Sequence, residues 1–152
     1  MRNFIEALTS ESKNPALPEA LNYFGKLIGS WQIDYVECDN SRAIKGEWNF
    51  AWALEGMAVQ DVIILPGYEY GTSLRIYNPN TCAWDVAYGY TGKIFRLEAK
   101  KQEDMIVLTN INDENRKWIF TDIDDHQFHW LNVTVKENEW HINAKIDGQR
   151  VR

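Results

Sequence analysis

The chain has 152 residues, 45% hydrophobic and 25% charged, a balance that excludes a disordered or low-complexity protein and fits one folded domain, residues 1–152, around a single core. Sixteen Lys and Arg against 22 Asp and Glu leave a formal net charge of −6, so the dense basic face that nucleic acid demands is missing. Seven Trp, seven Tyr and six Phe are an aromatic content that any functional reading has to explain.

Residues Met1 to Ser10 lack the basic start and long apolar run of a secretory signal, and no stretch reaches the length of a membrane span. The expectation is a cytoplasmic protein with no membrane partner. Within this segment Phe4, Ile5 and Leu8 fit one short amphipathic turn. Pro15 and Pro18 interrupt it, and Pro18 is placed to open a helix within residues 17–28, carrying Leu21, Tyr23, Phe24 and Leu27. Gly29 ends that helix, so residues 1–28 read as a helical segment and 29–152 as the body of the fold.

From Trp31 the pattern changes to short runs of Val, Ile, Trp, Tyr and Phe separated by turn residues, which predicts ten strands at 30–37, 43–54, 57–65, 71–77, 82–90, 93–100, 104–111, 115–123, 127–136 and 139–147. Connections this short permit antiparallel hairpins only. The tight turn at Glu55-Gly56 sets a register with Trp52 facing Val59, Phe50 facing Asp61 and Trp48 facing Ile63. A ten-stranded meander in a chain of this size must curl, and closing it into an up-and-down barrel removes the exposed edges.

By the period of two, Trp48, Phe50, Trp52 and Leu54 share the interior face of their strand. The predicted register puts Asp61 on that face, where an ionised carboxylate needs a partner. Arg75 is the nearest cation in sequence, although a solvated pair on the outer wall satisfies the same residues. Trp84, Val86, Tyr88 and Tyr90 share a second face, as do Arg116, Trp118 and Phe120, and Phe128, Trp130 and Asn132. Aromatic rings with N–H or O–H tips suit a cavity for a small apolar or aromatic molecule. Its expected lining is Trp48, Trp52, Tyr77, Trp84, Tyr88, Trp118 and Trp130, with Asp61 or Arg75 as polar anchor; the competing reading is a barrel filled by these rings. A homodimer through outer strand faces is a further expectation.

Nothing assigns a catalytic residue, a metal or a cofactor. Cys38 and Cys82 stand far apart and read as reduced thiols. His126, His129 and His141 lack a supporting motif, and Asp122, Asp124 and Asp125 lack the glycine and closing glutamate of a calcium loop.

Gly29-Ser30-Trp31, entering the first strand, resembles the G-x-W signature of the lipocalin-like calycin superfamily. A longer pattern, Gly46-Glu47-Trp48, Trp52, Leu54, Gly56, Ala58 to Val62, Pro66, Gly71-Thr72, Leu74-Arg75, Tyr77, Pro79 and Trp84, then Arg116, Trp118, Phe120, Phe128 and Trp130, is similar to an uncharacterised, mainly bacterial lipocalin-like family of small cytosolic proteins. It departs from that family at Met57, where arginine is common. The resemblance implies a barrel whose Trp31 packs at a closed end under Arg150 or Arg152, and no established activity. Relatives of the superfamily suggest two alternatives to simple binding: a small lyase or isomerase using Asp61 beside Arg75 and Tyr77, and a haem-binding barrel with His129 or His141 aimed inward.

Overall fold

Alternating apolar and polar residues form strands from Gly29 onward, and in the computed structural model, which describes residues 1–151, ten of them close into an antiparallel barrel. The chain runs through α1 (Phe4–Leu8), β1 (Thr9–Ser10), two 3₁₀ turns at Glu19–Leu21 and Gly25–Leu27, and β2 (Gly29–Glu37). It continues through β3 (Ala43–Ala53), β4 (Ala58–Leu65), β5 (Glu69–Asn78), β6 (Ala83–Tyr90) and β7 (Lys93–Gln102). Then follow β8 (Met105–Asn110), β9 (Asp113–Thr121), β10 (Gln127–Lys136) and β11 (Glu139–Arg150). Around the barrel the strands lie in chain order, β2 to β11, and β11 returns to β2. The two-residue β1 is an addition to the expected set; it pairs Thr9 with Ala53 and Ser10 with Trp52, beyond Phe50 where β2 begins its own pairing with β3.

The register expected of β3 and β4 is the one observed: Trp48 opposite Ile63, Phe50 opposite Asp61, Trp52 opposite Val59. The turn itself is longer than two residues. Leu54, Glu55 and Gly56 all have positive φ, and Leu54 projects outward at 47% exposure rather than joining the interior face. At the far end, Glu137 and Asn138 both have positive φ between the paired Lys136 and Glu139, the backbone that a tight two-residue hairpin requires.

The helix expected within residues 17–28 is not formed. Two 3₁₀ turns stand in its place, separated by Asn22 at φ −79°, ψ 69°. A continuous helix would present one stripe to one surface, whereas the broken path lets Leu17, Phe24 and Leu27 all reach zero exposure. This segment plugs the barrel at the end where β2 starts. It is held from several sides: Asn14 N–H donates to Gly56 O at 3.0 Å, Lys13 Nζ to Leu17 O at 2.6 Å, and Trp84 Nε1 to Leu21 O at 2.8 Å. The α1 helix does form, capped by reciprocal bonds between Asn3 and Glu6, but buries none of its residues.

Trp31 is fully buried in this plugged end, donating Nε1 to Leu27 O at 2.8 Å and meeting the Phe128 ring edge-on at 4.8 Å. The Arg150 guanidinium lies 4.3 Å from the Trp31 ring and donates to the carbonyls of Lys26, Ile28 and Asp125, each at 2.7 Å. Arg150 therefore ties the last strand to the plug; Arg152 lies outside the described residues. Gly29, at φ +129°, is needed here because a Cβ would overlap Arg150 Nη1.

Candidate ligand cavity

On β5 the period of two aims Glu69, Gly71, Ser73 and Arg75 inward, a polar row in an otherwise apolar wall. Asp61 of β4 sits directly opposite Ser73. Arg75 reaches back to it, with Nε and Nη2 donating to Oδ2 at 2.9 and 2.6 Å, while the Ser73 N–H donates to Oδ1 at 3.1 Å. The Asp61 and Arg75 side chains are 0% and 3% exposed, so the pair is interior and not on the outer wall. Both Asp61 oxygens are engaged, Oδ1 by the Ser73 amide and Oδ2 by Arg75. The guanidinium is also enclosed by Phe24, Phe120 and Phe50, with ring centroids 4.8, 5.5 and 5.7 Å away, an arrangement in which the ring faces offset part of the desolvation of the charge.

Beside this pair the barrel holds a cavity of about 150 Å³. Its walls are Tyr35, Trp48, Ile63, Leu65, Glu69, Ser73, Arg75, Tyr88, Tyr90, Phe95, Leu108, Trp118, Phe120, Trp130, Asn132 and Ile146. A continuous set of aromatic contacts surrounds it. Trp48 meets Phe120 at 5.4 Å and Trp130 at 6.1 Å; Trp118 meets Trp130 at 6.0 Å, Tyr88 at 5.4 Å and Phe95 at 5.4 Å. The plugged end of the barrel is filled by side chains, and the cavity lies between that packing and the opposite mouth.

Of the residues expected in a lining, Trp48, Arg75, Tyr88, Trp118 and Trp130 come together there, and Asp61 stands behind Arg75. Trp52, Tyr77 and Trp84 are placed elsewhere. Trp84 is buried 5.2 Å from Phe24, Tyr77 packs 6.0 Å from Trp84, and Trp52 borders a separate polar groove beside Lys13 and Tyr23. Glu69, Ser73, Tyr35 and Phe95 were not anticipated. Ser73 and Glu69 lie two and six residues before Arg75, on the same face by the period of two, but the strand was expected to begin at residue 71, which hid Glu69.

The Tyr88 hydroxyl donates to Glu69 Oε2, crossing Gly71, where a Cβ would overlap it. Burial raises the Tyr88 pKa well above the ordinary phenol range, reinforced by this bond and by the charge of Glu69. Tyr35 is raised in the same direction, again by burial first and then by its hydrogen bond with Tyr68. Both phenols keep their proton in the folded chain and lose it at about pH 10 when unfolded, so the stability they confer is fully present below about pH 10 and falls as pH rises beyond it. Titration of tyrosinate absorbance should find Tyr35 and Tyr88 silent until the fold is lost. Seven tyrosines ionising in an intact barrel would contradict this.

Two donors on residues of the cavity lining lack partners: Trp48 Nε1 and Arg75 Nη1 are both buried without a hydrogen bond. The histidines are elsewhere. His129 Nδ1 lies 2.6 Å from Asp147 Oδ1 at 40% side-chain exposure, and His141 Nε2 is 3.9 Å from Asp39 Oδ1. The lining contains no His, Cys or Met, so the residues present do not fit the haem arrangement that needs an inward histidine. Among the described residues no group of three or more His, Cys, Asp and Glu is arranged to hold a metal ion. Asp124 accepts the backbone N–H groups of His126 and Gln127 at 2.7 and 2.9 Å, which lowers its pKa and explains the acidic run as a turn. No helix among them is long and apolar enough to cross a membrane.

Fold and site together define a closed ten-stranded antiparallel barrel with an aromatic internal cavity. No family model and no curated protein matches the chain. In structure it is similar to the crystal structure of Rv2717c from M. tuberculosis, with a TM-score of 0.53 and 13% sequence identity over 90% of this chain and 99% of that one. At that identity the likeness is one of fold.

Proposed function

We propose that the barrel binds a small aromatic or apolar molecule, about one ring in size, that carries a hydrogen-bond acceptor. The observation that carries this reading is the pair of buried donors, Trp48 Nε1 and Arg75 Nη1, left without partners on two of the residues that line one aromatic cavity. A buried donor without a partner costs about 1–3 kcal/mol, and an acceptor brought by a ligand recovers that loss. Size sets the second limit: a cavity of about 150 Å³ is of the order that accommodates benzene.

Acetophenone and toluene test the reading, since they share a ring but only the first has an acceptor. Acetophenone should quench tryptophan emission saturably and bind about tenfold or more tightly than toluene, the effect of one recovered hydrogen bond of about 1.4 kcal/mol. Trp48→Phe, which keeps a ring and removes one donor, should narrow that gap. Equal binding of both probes, or binding of neither, would overturn the proposal.

A further inference from the structure

Resting on that reading, we infer that the cavity admits its ligand in one orientation, acceptor end inward at Arg75 and Trp48 and donor end outward at Glu69, and that it discriminates against carboxylates. The polarity follows from β5. Glu69 and Arg75 lie on the same inward face and reach toward each other, the Glu69 carboxylate to Tyr88 over Gly71 and Arg75 to Asp61 opposite Ser73, so their polar ends are separated by about two residues, or roughly 7 Å, along the strand. Arg75 turns its guanidinium back only as far as Asp61, opposite Ser73, and it rests against Phe24 of the plug. Glu69 opens the strand at the other end, beside the β4–β5 hairpin. Donors without partners therefore lie deep, and a carboxylate lies near the mouth.

The charges select among acceptors. A site built for carboxylates presents a guanidinium whose charge is free to pair with the ligand. Here Asp61 already accepts two bonds from Arg75, so the positive charge is matched and Nη1 is the guanidinium nitrogen left without a partner. Glu69 then stands as the remaining charged group of the lining. Its Oε2 accepts from Tyr88, but a carboxylate can accept several hydrogen bonds, so capacity remains for a hydroxyl or amine on the ligand. An anionic ligand would face that carboxylate without a compensating cation. The ligand class is a neutral ring bearing an acceptor at one end and a donor at the other.

Calorimetric titration at about pH 7, where a phenol is neutral, with acetophenone, 4-hydroxyacetophenone and benzoate provides the test. On the unmodified chain 4-hydroxyacetophenone should bind about tenfold tighter than acetophenone, the worth of one charge-assisted hydrogen bond, and benzoate about tenfold weaker. Glu69→Gln should reduce the advantage of the hydroxyl and strengthen benzoate relative to acetophenone, because the hydroxyl and the anion meet Glu69 while the acetophenone acceptor is at the deep end. Benzoate binding as tightly as acetophenone, a hydroxyl without effect, or equal changes for all three probes in Glu69→Gln would overturn the orientation alone. Failure of acetophenone to bind the unmodified chain would overturn the underlying binding reading as well.

Discussion

Asp61→Ala is expected to destabilise the folded chain by about 3–5 kcal/mol, the cost of leaving a buried cation without its counter-charge. Arg75 is 3% exposed and flanked by three phenylalanine rings, so a guanidinium left without Asp61 is shut off from bulk solvent. The Ser73 N–H loses its acceptor in the same substitution. A companion variant separates the pair from its parts: Asp61→Leu combined with Arg75→Met removes both charges and keeps approximate volume, and should be much closer to the parent in stability than Asp61→Ala alone. Urea denaturation reads both. An Asp61→Ala protein as stable as the parent would mean that the guanidinium finds other compensation, and a double variant no better than the single one would mean that the damage comes from packing.

A second large effect lies at the plugged end. Trp31→Ala should lower stability by about 3–5 kcal/mol, the range for truncating a large buried aromatic. Trp31 packs on Phe128, anchors Leu27 through its indole N–H and carries the Arg150 guanidinium on its face, so the cavity left behind cannot collapse without moving the plug. Trp31 is absent from the lining of the ligand cavity. The folded fraction of Trp31→Ala should therefore bind acetophenone as the parent does. A loss below about 1 kcal/mol would place Trp31 among the tolerant surface positions instead.

The barrel was legible because strand periodicity and hairpin length are local properties. The Trp48, Phe50 and Trp52 alternation and the turn at Glu55-Gly56 set which residues meet across β3 and β4, and the same local logic repeated around the sheet leaves no topology but a meander. The plug was misread because its path is decided by the hole it fills. Leu21, Phe24 and Leu27 have helical spacing, yet Leu21 O is required by Trp84, 63 residues further on, and no local pattern announces a demand made by a residue so distant. The cavity was legible only by half for a related reason. Face sharing identified Trp48, Tyr88, Trp118 and Trp130, but it cannot give depth, and depth separates these from Trp84 and Tyr77, which point to the same interior and are consumed by the plug.

The order of strands around the barrel has a kinetic consequence. Every neighbouring pair is a hairpin except β2 with β11, which joins residues more than a hundred positions apart, from Trp31 opposite Arg150 to Glu37 opposite Ala144. Nine hairpins can zip one after another from local nuclei, each closing a short loop, whereas this seam must wait for the rest of the wall and carries the long-range loop-closure entropy. Weakening the seam should chiefly accelerate unfolding, while weakening a central hairpin should slow folding. A circular permutant that links the two ends and opens the chain at the exposed Glu137-Asn138 turn would turn the seam into a local contact, move the long closure to β10 and β11, and leave the cavity walls in their places.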